Sequence, residues 1–169
     1  MVAASLFQGG PIMSDTGNPE IPTDAPPEVG IQAIAQYIKD LSFENPGAPM
    51  ALQNAPQIDF TIDPQARRLD AQHYEVEMRI RVSAKAEERP VFLLELLYAG
   101  LFAIHGNPPE DFLQQVLLID APTLLFPFAR RIVSDTVRDG GMPPLLLSPI
   151  NFASLYRAKA AEGQARATV

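Results

Sequence analysis

Along the first two thirds of the chain apolar and polar positions tend to alternate, whereas along the last third they recur every three or four residues. From Gln32 to Glu44 the alternation is weak, with Tyr37, Lys39, Leu41 and Phe43 on one side and Ile38, Asp40, Ser42 and Glu44 on the other. This predicts a strand that ends at Asn45-Pro46-Gly47, with Asp40 and Glu44 on one face about 13 Å apart at roughly 3.3 Å per residue. Ile58, Phe60 and Ile62 alternate with Asp59, Thr61 and Asp63 in a short second strand. The cleanest alternation sets Tyr74, Val76, Met78, Ile80 and Val82 against His73, Glu75, Glu77, Arg79, Arg81 and Ser83. A polar turn over 84–90 leads into a long strand, Val91 to His105, with two largely apolar faces. Phe92, Leu94, Leu96 and Tyr98 point one way; Leu93, Leu97 and Leu101 share the other side with Glu95. Such a strand in a half-wet antiparallel sheet predicts that another chain or element covers its second face. Gly100 is expected to mark a bulge or bend.

Helical spacing begins after Asn107, an expected N-cap, with Pro108 at the first helical position, Glu110 and Asp111 favourable to the dipole, and Phe112, Val116 and Ile119 on one face. It continues through Leu124, Leu125, Phe126, Phe128, Ile132, Val133, Thr136 and Val137, with Arg130, Arg131, Asp135, Arg138 and Asp139 opposite. Pro122 and Pro127 each remove a backbone donor, which predicts a kink or break over 120–127. Gly140-Gly141 predicts a left-handed cap, followed by Pro143 and Pro144 and an extended Leu145-Leu146-Leu147. A last helix runs from an Asn151 cap to about Arg166 on an apolar face of Phe152, Leu155 and Tyr156, and residues 158–169 are expected to fray. Four strands followed by helices make an α+β domain.

Composition narrows the function. Residues 1–30 hold four glycines, five prolines and four acidic residues without Lys or Arg, the composition of a disordered acidic tail. Met13 is the expected start, because residues 1–12 read as upstream sequence. The formal net charge of -7 disfavours a phosphate-binding stripe for nucleic acid. There is no cysteine, hence no disulfide framework or thiolate site, which agrees with a reducing compartment such as the cytoplasm. No apolar run reaches the roughly 20 residues of an integral membrane helix. His73 and His105 are the only histidines, and no nucleotide loop, zinc-protease helix or nucleophile elbow is present. The pairs Asp59 with Asp63 and Glu75 with Glu77 share strand faces and could hold a divalent ion, but solvated strand charges explain them better. No metal, cofactor or catalytic residue is therefore expected.

Three stretches carry a resemblance: YIKDLSFENPGAP (37–49), LLELLYAGLFAIHG (93–106) and PTLLFPFARRIVSDTVRDGGMPPLLLSPINFASLY (122–156). Over about residues 34–157 the chain resembles SecB, the bacterial protein-export chaperone family. The resemblance implies a four-stranded antiparallel Greek-key sheet, with its crossover at 45–57, packed on a long kinked helix and a second C-terminal helix. It also implies a homotetramer built as a dimer of dimers. Its partners would be unfolded precursor proteins, held without ATP, and the SecA ATPase that receives them for export across the inner membrane.

By the same resemblance Asp40, Glu44, Leu93 and Glu95 are the SecA-binding positions, and strand parity allows the two pairs to share faces. A holdase needs adaptable apolar surface, and long clients gain avidity across several subunits. Met50, Leu52, Phe60, Phe126, Phe128, Leu145, Leu147, Phe152 and Leu155 are the candidates for a client groove, against an ordinary-core role. Leu94, Leu96 and Tyr98 are candidates for the oligomer interface. A small-ligand carrier or thioesterase-like enzyme on a sheet-and-helix scaffold is the competing reading, disfavoured by the absent catalytic set.

Overall fold

The computed structural model describes residues 30–49, 55–87, 89–106 and 108–167. The expected tail with its start at Met13, the loop residues Met50 and Leu52, and the expected cap Asn107 lie outside the described residues. Strands β1 (Gly30–Glu44), β2 (Gln57–Arg68), β3 (His73–Ala86) and β4 (Arg89–His105) form one antiparallel sheet in the order β1-β4-β3-β2, the Greek-key order of the expected fold. Helix α1 (Glu110–Gln115), a π turn (Val116–Asp120), α2 (Ala121–Asp139) and α3 (Phe152–Ala167) follow.

Register defines two faces. Val76, Met78, Ile80 and Val82 on β3 stand opposite Gly100, Tyr98, Leu96 and Leu94 on β4. These residues form the core with Leu125, Val133 and Val137 of α2. On α2 the buried stripe is Ala121, Leu125, Ala129, Val133 and Val137, with Pro122 and Phe126 beside it. The four-residue spacing and small Ala121 and Ala129 let the helix lie close to the sheet. Gly100 belongs to this contact. It sits in a regular stretch of the β3–β4 ladder, and a Cβ there would lie 2.7 Å from Leu125 Cδ2 and Phe102 Cε2, so it serves close packing rather than the expected bulge.

The irregularities lie elsewhere: on β1, where the pairing with β4 shifts between Ala33 and Ala35 and between Ile38 and Asp40, and at the start of β4, where the pairing with β3 shifts between Ala84 and Lys85. The second shift changes the expected faces. Tyr37 opposes Ala99 on the outer face, Leu41 and Phe43 oppose Leu96 and Leu94 on the helix face, and Lys39 is the extra residue between them. The short second strand is in fact twelve residues long and contains Pro64, which an edge strand tolerates.

Two helix expectations also change. Pro109, not Asn107, precedes α1, and Pro108 lies before the helix. The irregularity sits at 116–120, where the Ala121 amide bonds the Val116 carbonyl five residues back. Pro122, lacking a donor, helps explain the wide turn, while Pro127 lies inside α2. Helix α3, expected to about Arg166, runs to Ala167. The α2 terminus does follow expectation. Gly141 adopts φ 83°, its amide bonds the Arg138 carbonyl at 2.9 Å, and the Met142 amide bonds that of Val137 at 3.3 Å. Asn151 caps α3 through Oδ1, which accepts from the Ser154 amide at 2.9 Å.

Candidate functional site

On the outer face of the sheet, away from the helices, the pairing makes rows. Glu44 opposes Leu93, Ser42 opposes Glu95, and Asp40 opposes Leu97. The four sequence-predicted docking residues, Asp40, Glu44, Leu93 and Glu95, thus lie on one face of two neighbouring strands. Asp40 and Glu44 are exposed, and Leu93 and Leu97 are half-buried between carboxylates. Among the described residues neither Asp40 nor Glu44 has an ion-pair partner, whereas Glu95 Oε1 accepts from Arg81 Nη1 at 2.8 Å. Such a surface offers two free carboxylates and an apolar centre to a basic, partly apolar partner.

Below this patch is a second cluster that strand parity alone did not find. Glu75 on β3 is 4% exposed although it faces outward. Its carboxylate accepts from the Tyr37 hydroxyl at 2.6 Å, Lys39 Nζ at 3.1 Å and Arg67 Nη2 at 2.6 Å, and Lys39 also reaches Glu77. Tyr37 and Lys39 come from β1 and must cross β4 to reach β3. Ala99, between Tyr37 and Glu77 in the register, is small enough to permit this. The Tyr37 hydrogen bond, with those of Arg67 and Lys39, outweighs burial and holds the Glu75 carboxyl down to about 2. Glu75 and Glu77 are therefore members of an ion network rather than the solvated pair expected from spacing. Asp63, of the other expected pair, accepts from Gln65 at 2.9 Å and pairs with Lys159 of α3.

The apolar candidates divide. Phe126, Leu147 and Phe152 are 6%, 7% and 2% exposed, with Phe126 and Phe152 in an edge-to-face contact at 5.9 Å, so they are subunit core. Phe60, Leu145 and Leu155 are half-buried against the same cluster and remain accessible at its margin. Phe128 is on the other side of α2, 47% exposed, where it lines a shallow concavity with Ile34, Gln36 and Tyr98. Leu146, absent from the sequence-derived set, is 70% exposed between two inward-facing leucines. The three-leucine run alone carried no signal for which would turn outward.

The interface candidates require correction as well. Leu94 and Leu96 are 0% and 1% exposed under α2, and Tyr98 is 6% exposed with its hydroxyl 3.2 Å from Gln36 Oε1. The subunit's own helix covers that face, so Leu94 and Leu96 have no surface left for a neighbour. The apolar surface that does remain on α2 and β1 is Leu124 and Phe128, at 45% and 47%, and Ile34, Ile38 and Leu41, at 49%, 47% and 40%.

Comparison with known proteins gives one family. The family model described as preprotein translocase subunit SecB matches residues 23–163. The protein-export protein SecB of Maricaulis maris is 46% identical over 158 residues, covering 92% of this chain and 91% of the relative. That of Zymomonas mobilis is 54% identical over 138 residues, covering 79% and 81%. Among solved structures, a SecB-like chaperone of Mycobacterium tuberculosis in complex with a ChAD peptide from the HigA1 antitoxin has the same fold. Its TM-score is 0.62 at 21% identity, over 71% of this chain and 90% of that one. With the sheet order and these relatives in agreement, the chain belongs to the SecB family of protein-export chaperones.

Proposed function

We propose that the protein is a cytoplasmic, ATP-independent holdase that binds non-native precursor proteins, keeps them translocation-competent and delivers them to SecA for export across the inner membrane. The observation that carries the delivery step is the outer-face row pattern, in which Asp40 and Glu44 stand free beside Leu93, Leu97 and Glu95. On this reading those residues receive SecA, with complementary charge setting encounter and the leucines supplying apolar contact.

The client groove is narrower than the sequence reading. Phe60, Leu145, Leu146 and Leu155 supply accessible apolar surface over a core that includes Phe126, Leu147 and Phe152, and Met50 and Leu52, outside the described residues, stay candidates on the sequence alone. The peptide bound by the M. tuberculosis neighbour supports a peptide-binding role for this fold. A homotetramer, as a dimer of dimers, accounts for the free edge of the fifteen-residue β1 and for the outward Leu124 and Phe128. Tyr98 stays at the border of that surface; no catalysis is assigned.

The test has two arms. The purified protein should suppress aggregation of a slow-folding precursor without ATP, and reversing Asp40 and Glu44 to lysine should weaken SecA binding while light scattering still gives the same assembly mass. Unchanged SecA affinity at moderate salt rejects the docking assignment.

A further inference from the structure

Resting on that docking reading, we propose that Arg81 is a specificity-determining residue of the outer face: it occupies Glu95 in the free protein and competes there with the basic groups of the SecA partner. The register puts Ser42, Glu95, Arg81 and Thr61 in one row across all four strands. Arg81 Nη1 is 2.8 Å from Glu95 Oε1, and the two side chains are 58% and 45% exposed. Arg79, two residues away on the same face of β3, opposes Leu97 and is exposed, so the two arginines edge the acidic half of the sheet.

Among the described residues, the other cations that the register sets on this face near the patch do not pair with its carboxylates, Arg79 standing opposite Leu97. Lys39 and Arg67 are held by Glu75, which leaves Asp40 and Glu44 unmasked. Among the described residues Arg81 alone pairs with a docking carboxylate. A partner cation that takes Glu95 must either displace the Arg81 guanidinium from Oε1 or bind the second oxygen beside it, and in both cases meets a like charge. The pair is exposed and its own strength small, so it is displaced easily, but the competition and repulsion tax every basic ligand. A partner pays less when its cations reach Asp40 and Glu44 and its apolar groups meet Leu93 and Leu97. Arg81 thus selects against ligands that carry charge without the matching apolar contact.

The experiment measures binding of purified SecA to the full chain at low and moderate salt. R81T, which keeps a strand-forming residue and removes the charge, should bind about two- to five-fold tighter at low salt, with a smaller gain at moderate salt. The gain should shrink in an E95Q background, where only the repulsion remains, and R81K should behave as the unaltered protein. Unchanged or weaker binding by R81T, while reversal of Asp40 and Glu44 still weakens it, overturns the Arg81 proposal and leaves the docking reading standing. If that reversal has no effect, both fall. A short Lys-rich peptide without apolar residues provides a second readout: R81T should gain more affinity for it than for SecA, and an equal or smaller gain also overturns the selectivity claim.

Discussion

Replacing Glu75 with glutamine removes one charge from the outer face and leaves its shape. In the folded protein this carboxyl is held at about 2 against an ordinary 4.5, first by the Tyr37 hydroxyl and then by Arg67 and Lys39. At roughly 1.4 kcal/mol per tenfold change in proton affinity, that depression corresponds to about 3 kcal/mol in favour of the charged form. Glutamine approximates the protonated form, still accepting from Tyr37. Lys39 and Arg67, with side chains 29% and 65% exposed, regain some hydration when their partner goes. The expected loss is therefore about 2–3 kcal/mol near neutral pH, below the upper end for breaking a buried pair. The sign with pH follows from the depressed value. The stabilisation is complete above about 4.5 and disappears as pH falls toward 2, so E75Q and the unaltered protein should converge in that window. Urea unfolding at fixed protomer concentration, at several pH values from about 7 to about 3, measures both the gap and its closure. A gap below about 1 kcal/mol at neutral pH, or one that does not narrow in acid, refutes the argument.

Other substitutions probe different contacts. Gly100→Ala should lose about 1–3 kcal/mol in the same unfolding assay, because its Cβ would meet the fully buried Leu125 and Phe102; combining it with Leu125→Ala should cost less than the sum of the two. Asn151→Ala should cost about 1 kcal/mol through loss of the Ser154 amide bond, and Asn151→Asp should recover most of it. Changing exposed Leu124 and Phe128 together to serine should lower the assembly mass by light scattering while circular dichroism retains the subunit fold. Leu146→Ser should weaken suppression of client aggregation with less than about 0.5 kcal/mol change in stability, since the side chain is 70% exposed.

Much of the architecture was legible because it depends on local pattern. The alternation in β3 and the glycine pair after α2 each specify a conformation within a few residues, and the structure has both. The length of β2 was not legible, since Pro64 and Gln65 interrupt the apolar alternation and only the strand's place at the edge makes the proline tolerable. Burial of Glu75 was equally hidden. It needs Tyr37 and Lys39 from a strand that is not its neighbour, and the gap over Ala99 through which they reach it. Likewise, Phe126 and Phe128 look equivalent in sequence, yet two residues on a helix turn through about 200°, which sends one into the core and the other toward β1.

The β1 bulge explains why the docking set came together despite a wrong parity for half of its strand. Alternation counts faces correctly only between irregularities, and the shift at Ile38/Asp40 exchanges the faces of everything before it relative to everything after. Asp40 and Glu44 both follow the shift, and Leu93 and Glu95 lie in the regular stretch of β4 from Phe92 onward, so their mutual placement was independent of the error. Tyr37 precedes the shift and Lys39 occupies it. The bulge thereby turns Tyr37 and Lys39 outward toward Glu75 and lets Leu41 and Phe43 turn inward onto Leu96 and Leu94. Without it, a continuous strand that keeps Asp40 outward would put Tyr37 on the helix face and Ile38 outside, and Glu75 would lose its hydroxyl partner. The same irregularity therefore supports two features of the outer face: it provides the contacts that neutralise Glu75, and it engages Lys39 with Glu75 and Glu77 rather than with Asp40 or Glu44.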